Sequence, residues 1–274
     1  MPELAEVHYF SRQWRVGLGQ KVVRVHLHPG KRVFRGLSTR ALARSLQGQT
    51  LRSLQTHGKQ MLFRFGSDLW LGVHLGMSGR LSAQPAGYRP EKHDHLVLHT
   101  RNRALVFQDP RLFGRIRLAR DRQPPAWWSS LPPGVFSHGF SVPHLLSLFQ
   151  RRAQTQLKPL LLLQDFFPGI GNWMADEILW QARLDPRTRA GSLSKKQIST
   201  LHPIIRRVSR KAMQTIGKNW SDPPRNWLFL YRWQDGGSCP RCRRKLVRQP
   251  VGGRTTCWCP SCRKPALPRR SPRS

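Results

Sequence analysis

Cys239-Pro240-Arg241-Cys242, followed after sixteen intervening residues by Cys259-Pro260-Ser261-Cys262, decides how the carboxyl end of this chain folds. Each Cys-x-x-Cys pair presents two thiols from one turn, and a hairpin between the pairs brings the two turns together. That is the donor set and spacing of a four-sulfur zinc ribbon. The expected element is a C-terminal four-cysteine zinc-ribbon β-hairpin over residues 228–263, holding one structural Zn2+ on Cys239, Cys242, Cys259 and Cys262. All five cysteines fall between positions 239 and 262, which favours one local metal site over a disulfide framework. Cys257 breaks the register and reads as a free thiol near the site, with a ligand swap left open. Gly252-Gly253-Arg254 reads as the hairpin tip, and a ribbon that folds on its metal holds Arg254 rigidly.

Charge extends the argument outward from the ribbon. The 274 residues carry 48 Lys+Arg against 13 Asp+Glu, a formal charge of +35. From Ser194 onward there are 20 Lys/Arg and two acids, Asp222 and Asp235. Such a balance repels itself unless an anion binds, and nucleic acid is the first candidate, ahead of an anionic membrane surface. No apolar run is long enough for a membrane span and no signal-peptide pattern is present, so a cytoplasmic, nucleoid-associated protein without a membrane partner is expected. Hydrophobic content of 38% with ten Trp excludes wholesale disorder. The basic, low-complexity residues 264–274 are expected to form a disordered arm.

The amino end reads Met1-Pro2-Glu3-Leu4-Ala5-Glu6. Loss of Met1 would leave a secondary amine at Pro2. A terminal amine titrates near 8 and is partly uncharged at neutral pH. Its attack on an aldehyde-level carbon gives an iminium ion, by the logic of Schiff-base lysines. Glu3 could move protons for it. A chain that merely starts Met-Pro and opens a helix with acids explains the same six residues.

Residues 6–18 read as a helix stopped by Gly17 and Gly19. Residues 21–28 alternate at period two, and Ser38 starts a short helix. Strand-like stretches follow at 51–57, 60–65, 69–75, 80–83, 95–99, 104–107 and 115–118, punctuated by Gly58, Gly66, Gly79, Asn102 and Gly114. The first 120 residues therefore read as a β-sandwich with a leading helix. Gly58-Lys59 sits in a turn. Two loop tips stand out, His74-Leu-Gly-Met77-Ser-Gly-Arg80 and Asp109-Pro-Arg111-Leu-Phe113-Gly114. An apolar Met77 on a small-residue tip suits a wedge between stacked bases. Arg111 and Phe113, two apart in an extended loop, would point the same way, one to pair with a base edge and one to stack.

Residues 121–142 are rich in Pro, Gly and Ser and read as a linker. Helical periodicity follows at 143–151, 157–164, 173–183 and 194–216, with Ser194 and Gln197 as a capping box and Pro203 placed to kink the last helix. Phe167-Pro-Gly-Ile-Gly-Asn172 closes a tight turn into the third of these. Asn172 reads as the helix cap, or as part of a phosphate-binding helix start. Glu177 needs a partner if its face is buried.

In this order the motifs resemble one family, the formamidopyrimidine-DNA glycosylases and endonuclease VIII. The resemblance runs from Pro2 to about Arg263 and rests on PELAEV, Gly58-Lys59, HLGMSGRL, EKHDH (91–95), DPRLFG, GIGNWMADE and the ribbon. It implies an α+β, multi-domain chain: a catalytic β-sandwich (1–120), a helix-two-turn-helix domain (143–227) and the zinc finger (228–263). Damaged double-stranded DNA would be the partner, with no small-molecule cofactor and a monomeric enzyme. By motif position Pro2 is implied as nucleophile, Glu3 as acid/base and Glu6 as support. Lys59, Asn172 and Arg254 are implied as phosphate grips, Lys59 and Arg254 also in the catalytic set. Met77, Arg111 and Phe113 are implied as void fillers. His74, His93 and Lys158 complete the implied DNA-binding set.

Three features depart from the family pattern. Ala5 replaces the family's usual Pro, with little effect expected. Leu112 replaces the second Arg often seen in this motif, leaving Arg111 in place. Residues 217–227 are short where family members specific for oxidised purines often carry a longer loop over the flipped base, so the resemblance implies ring-opened formamidopyrimidines or oxidised pyrimidines rather than 8-oxoguanine. The rival readings are a noncatalytic zinc-dependent DNA-binding protein that retains the fold, and a zinc-ribbon RNA-binding factor, which leaves both apolar tips unexplained.

Overall fold

A computed structural model describes residues 1–263; the arm expected at 264–274 lies outside the described residues. The chain divides into two compact units, Met1–Leu131 and a second beginning at Pro132. The boundary falls within the stretch expected to be a linker, which also contains a short helix.

The first unit begins with α1 (Leu4–Gln13), continued by a 3-10 turn at Trp14–Gly17. Then come β1 (Val22–Leu27), α2 (Thr39–Leu46), β2 (Leu51–His57), β3 (Gln60–Phe65), β4 (Leu69–His74), β5 (Arg80–Pro85), β6 (Asp94–Thr100), β7 (Arg103–Gln108), β8 (Arg115–Arg120) and α3 (Ala126–Ser129). The strands form two four-stranded antiparallel sheets, ordered β1-β6-β7-β5 and β2-β3-β4-β8. Alternation explains the layering. In the second sheet Met61, Val73 and Ile116 pair in one row facing the core, while Gln60, His74 and Arg115 pair in the next row on the opposite face. Both sheets and α1 share one core in which Trp14, Phe63, Phe65 and Phe107 are fully buried. Each such ring contributes roughly 1.5–3 kcal/mol of burial. Ser38 caps α2 by accepting from the Ala41 amide, as its sequence position implied.

The second unit holds α4 (Val142–Arg151), α5 (Leu157–Leu161), α6 (Asn172–Ala182), α7 (Lys195–Gln214), α8 (Ile216–Asn219), β9 (Val247–Val251) and β10 (Arg254–Trp258). Ser194 and Gln197 form the expected capping box, and Pro203 sits inside α7 without ending it. Helix α5 stops at Leu161, short of the expected residue 164. The cap of α6 is Gly171, so Asn172 is the first helical residue rather than its cap. The ribbon is not a free-standing module. Trp180 of α6 packs with Leu228, Leu246, Cys239, Cys257 and Cys259 in one cluster. Among the described residues no helix is long and apolar enough to cross a membrane.

Candidate active site

In the first unit the amino terminus is built by a capping box. The Glu3 side chain accepts from the Glu6 amide, and Glu6 Oε2 accepts from the Glu3 amide at 3.1 Å. Satisfying the first amides of α1 in this way fixes the backbone one residue from Pro2. Glu3 is buried, Pro2 half-buried, and Met1 is 49% exposed, open to the trimming that would free the Pro2 nitrogen. Ala5, at the second helical position, is fully buried.

Lys59 follows Gly58 (φ 56°) in the β2–β3 turn and is mostly buried. Gln60 pairs with His74, which places the Lys59 turn beside the end of β4. Burial, then the charges of Lys59, Arg117 and Arg35, hold His74 down to about 4, so its imidazole is neutral at physiological pH. His74 Nδ1 accepts from the Gly76 amide at 3.0 Å, leaving the proton on Nε2 as a donor.

The two tips meet as a unit. Asp109 is fully buried; its Oδ1 accepts from Ser78 Oγ at 2.6 Å, and its Oδ2 accepts from the Gly114 amide at 2.7 Å. A Cβ on Gly76 (φ 64°) would lie 2.4 Å from the Phe113 carbonyl carbon, so only glycine permits this approach. Met77 and Phe113 are left 38% and 42% exposed, so neither thioether nor ring is used in the core. The Arg111 guanidinium lies 5.0 Å from the Phe113 ring centre, so the two side chains do face together. Leu112 between them takes φ 58° and turns toward the core. His93, half-buried ahead of β6, supplies the carbonyl that accepts from the Asp109 amide. Neither Ser78 nor Asp109 carries a local sequence signal for this role.

In the second unit, Lys158 is the main correction. It was expected to meet DNA, yet it is fully buried. Its ammonium donates to Asp176 Oδ1 at 2.5 Å and to the Asn172 carbonyl at 2.6 Å. Asp176 Oδ2 accepts from Arg232 at 2.6 Å and from the Cys257 amide at 3.0 Å. One carboxylate thus ties α5, α6, the Arg232 segment ahead of the first cysteine pair, and β10. A lysine's charge is legible in sequence; its burial is not. Asn172 Nδ2 donates to the Thr255 carbonyl at 2.9 Å, next to Arg254. The ribbon tip packs on Pro159, where a Cβ on Gly252 would lie 2.9 Å away. Lys158, Asn172 and the exposed Arg254 are therefore neighbours, with Lys158 acting behind the other two.

The four expected ribbon cysteines bring their sulfurs within 4.8 Å of one another. Cys242 and Cys259 are 3.5 Å apart, Cys239 and Cys262 3.7 Å. Tetrahedral bonds of about 2.3 Å require sulfur separations of about 3.8 Å, so the set fits a metal ion. Cys257 is outside the cluster, and burial with Asp176 beside it pushes its thiol up to about 12. It is an inert buried thiol rather than a substitute ligand.

Glu177 is fully buried on α6 and finds partners in Gln181 Nε2 (2.7 Å) and the Phe229 amide (3.1 Å). Burial outweighs these bonds and raises it to about 7 from 4.5. The folded state then binds more protons than the unfolded state between these values. The stability contributed is complete below pH 4.5 and lost as pH rises through 7, roughly 3 kcal/mol in all. Urea unfolding at about pH 5 and about pH 8 should show this fall in the native protein, and Glu177→Gln should flatten it.

Similarity to known proteins agrees with this architecture. Residues 1–116 match the formamidopyrimidine-DNA glycosylase N-terminal domain, and residues 131–222 match the formamidopyrimidine-DNA glycosylase H2TH domain. A formamidopyrimidine-DNA glycosylase of Roseiflexus sp. (strain RS-1) is 34% identical over 274 residues, covering 96% of this chain and 100% of that protein. One from Arabidopsis thaliana is 30% identical, covering 96% and 71% respectively. Among solved structures, Lactococcus lactis Fpg in complex with abasic-site DNA superposes with a TM-score of 0.86 at 27% identity, covering 96% of this chain and 100% of that one. MutM in complex with carbocyclic 8-oxo-G DNA matches at 0.86 and 28%, with the same coverage. The chain belongs to the formamidopyrimidine-DNA glycosylase family.

Proposed function

We propose that Pro2, freed by loss of Met1, is the nucleophile through which this chain, a base-excision repair glycosylase with abasic-site lyase activity, acts on oxidised bases. The observation that carries the reading is the capping box, which holds Glu3 and the backbone beside Pro2 in one rigid turn. The Pro2 nitrogen attacks C1′ of the extruded nucleotide, and the base leaves with the glycosidic electron pair, taking a proton. Sugar ring opening gives an iminium ion. That sink acidifies the C2′ proton; its loss expels the 3′ phosphate and nicks the strand, and water releases the enzyme. Glu3 moves the protons.

DNA is the partner, met by a monomer. Lys59, neutral His74, Asn172 and Arg254 grip phosphates, while Met77, Arg111 and Phe113 fill the space of the extruded base. The metal is Zn2+, which supplies structure by holding the hairpin that carries Arg254. One zinc per chain is expected. Stripping it should release Arg254 and weaken lesion binding roughly tenfold to a hundredfold, restored by zinc.

A duplex panel bearing formamidopyrimidine, oxidised pyrimidine, 8-oxoguanine or an abasic site tests the whole reading. Nicking of the abasic duplex and at least one lesion is expected, with 8-oxoguanine cut more slowly. Tight binding without any nicking would instead favour the noncatalytic DNA-binding protein.

A further inference from the structure

Against the outward face of the β2-β3-β4-β8 sheet lie three arginines, Arg35, Arg115 and Arg117, to which the reaction gives no part. Rows Gln60–His74–Arg115 and Leu62–Gly72–Arg117 lie side by side there. Gln60, Gly72, His74, Arg115 and Arg117 of these rows, with Arg35 and Trp127, line a cavity of about 190 Å3. Gly72 makes the room: a Cβ at that position would lie 2.4 Å from the Trp127 ring. The ring stands against the Arg117 guanidinium, 5.0 Å from ring centre to Cζ. Arg35 is aimed by a 2.8 Å bond from Nη1 to the Gly114 carbonyl.

No carboxylate lines this cavity, and among the described residues none of the three arginines has an ion pair. Arg115 Nε is buried with no hydrogen-bond partner. Burial lowers Arg35, with Arg115 and then Arg32 adding to it, and lowers Arg117, with Arg115 and then Arg35 adding to it. Three cations held together without an acid cost free energy that an anion removes. Guanidinium forks match the tetrahedral oxygens of phosphate, with Gln60 and the His74 Nε2–H as neutral donors at the rim.

We propose that Arg35, Arg115 and Arg117 form a phosphate-binding site on the outer face of the first unit. Its occupant is a phosphate of the DNA backbone beyond those gripped by Lys59. That assignment rests on the glycosylase reading; the alternative source of the same chemistry is a free polyphosphate.

The test places single neutral methylphosphonates along an abasic duplex and measures affinity for the native chain and for Arg115→Gln/Arg117→Gln. One position should weaken the native chain roughly tenfold and leave the variant unaffected. The slope of log affinity against log salt should fall by about 0.9 in the variant. If neither occurs but tripolyphosphate binds the native chain and not the variant, the site holds and its source is free phosphate. With no coupling to methylphosphonate and no tripolyphosphate binding lost, the proposal is overturned. Arg35→Gln, on a different segment, repeats the comparison if the double variant fails to fold. Borohydride trapping of the native chain on the same duplex reports separately on the glycosylase reading.

Discussion

Asp176→Ala is expected to destabilise the second unit by about 3–5 kcal/mol, the cost of leaving a buried charge without its partner. Asp176 is 1% exposed, Lys158 0% and Arg232 5%, so neither cation can turn to water when the carboxylate goes. The same substitution removes the acceptor for the Cys257 amide. Helix α5, helix α6 and strand β10 lose their common tie. The effect should exceed what any exposed pair contributes; Arg248–Asp235, with Asp235 79% exposed, is worth at most about 1 kcal/mol. Chemical denaturation compares the two. A loss for Asp176→Ala no larger than that for Asp235→Ala would show that the buried triad does not organise the unit. Because the triad positions Asn172 and Thr255, DNA affinity should fall at temperatures where the variant is still folded.

Glu3→Gln is expected to lower base excision by roughly a hundredfold to ten-thousandfold, the range lost when a positioned proton donor is removed. The amide keeps an oxygen to accept from the Glu6 amide, so α1 should start where it does now and thermal stability should change little. On a preformed abasic duplex the base has already departed, so the loss should be much smaller. Single-turnover rates on the two duplexes separate these effects. Equal losses on both would place Glu3 in the lyase step or in holding Pro2, rather than in expelling the base.

Much of this architecture is legible in the sequence. Strands β2 and β3 begin and end where alternation and glycine place them, because one face of each must be apolar. The four ribbon cysteines are legible because two Cys-x-x-Cys turns can satisfy one ion and little else. The exposed Met77 and Phe113 stand out as apolar residues on tips built of small ones. What stays hidden are the polar ties. Asp109 binds two tips, with its Ser78 partner 31 positions away, and Asp176 meets Arg232 across 56. Pairings at such separations leave no periodicity. Lys158 looks like a DNA contact because sequence reports its charge and not its enclosure. The outer-face arginines are equally silent: Arg115 and Arg117 alternate as any strand would, and only the fold adds Arg35 and Trp127 to them.

The central claim is that bond-making belongs to the nitrogen of Pro2. Its most direct test is borohydride reduction of the enzyme on an abasic duplex, followed by mapping of the attached peptide. The account predicts one covalent adduct on the residue-2 nitrogen, absent when an uncleaved extension precedes it. An adduct on a lysine side chain such as Lys59, or trapping undiminished by the extension, would contradict it.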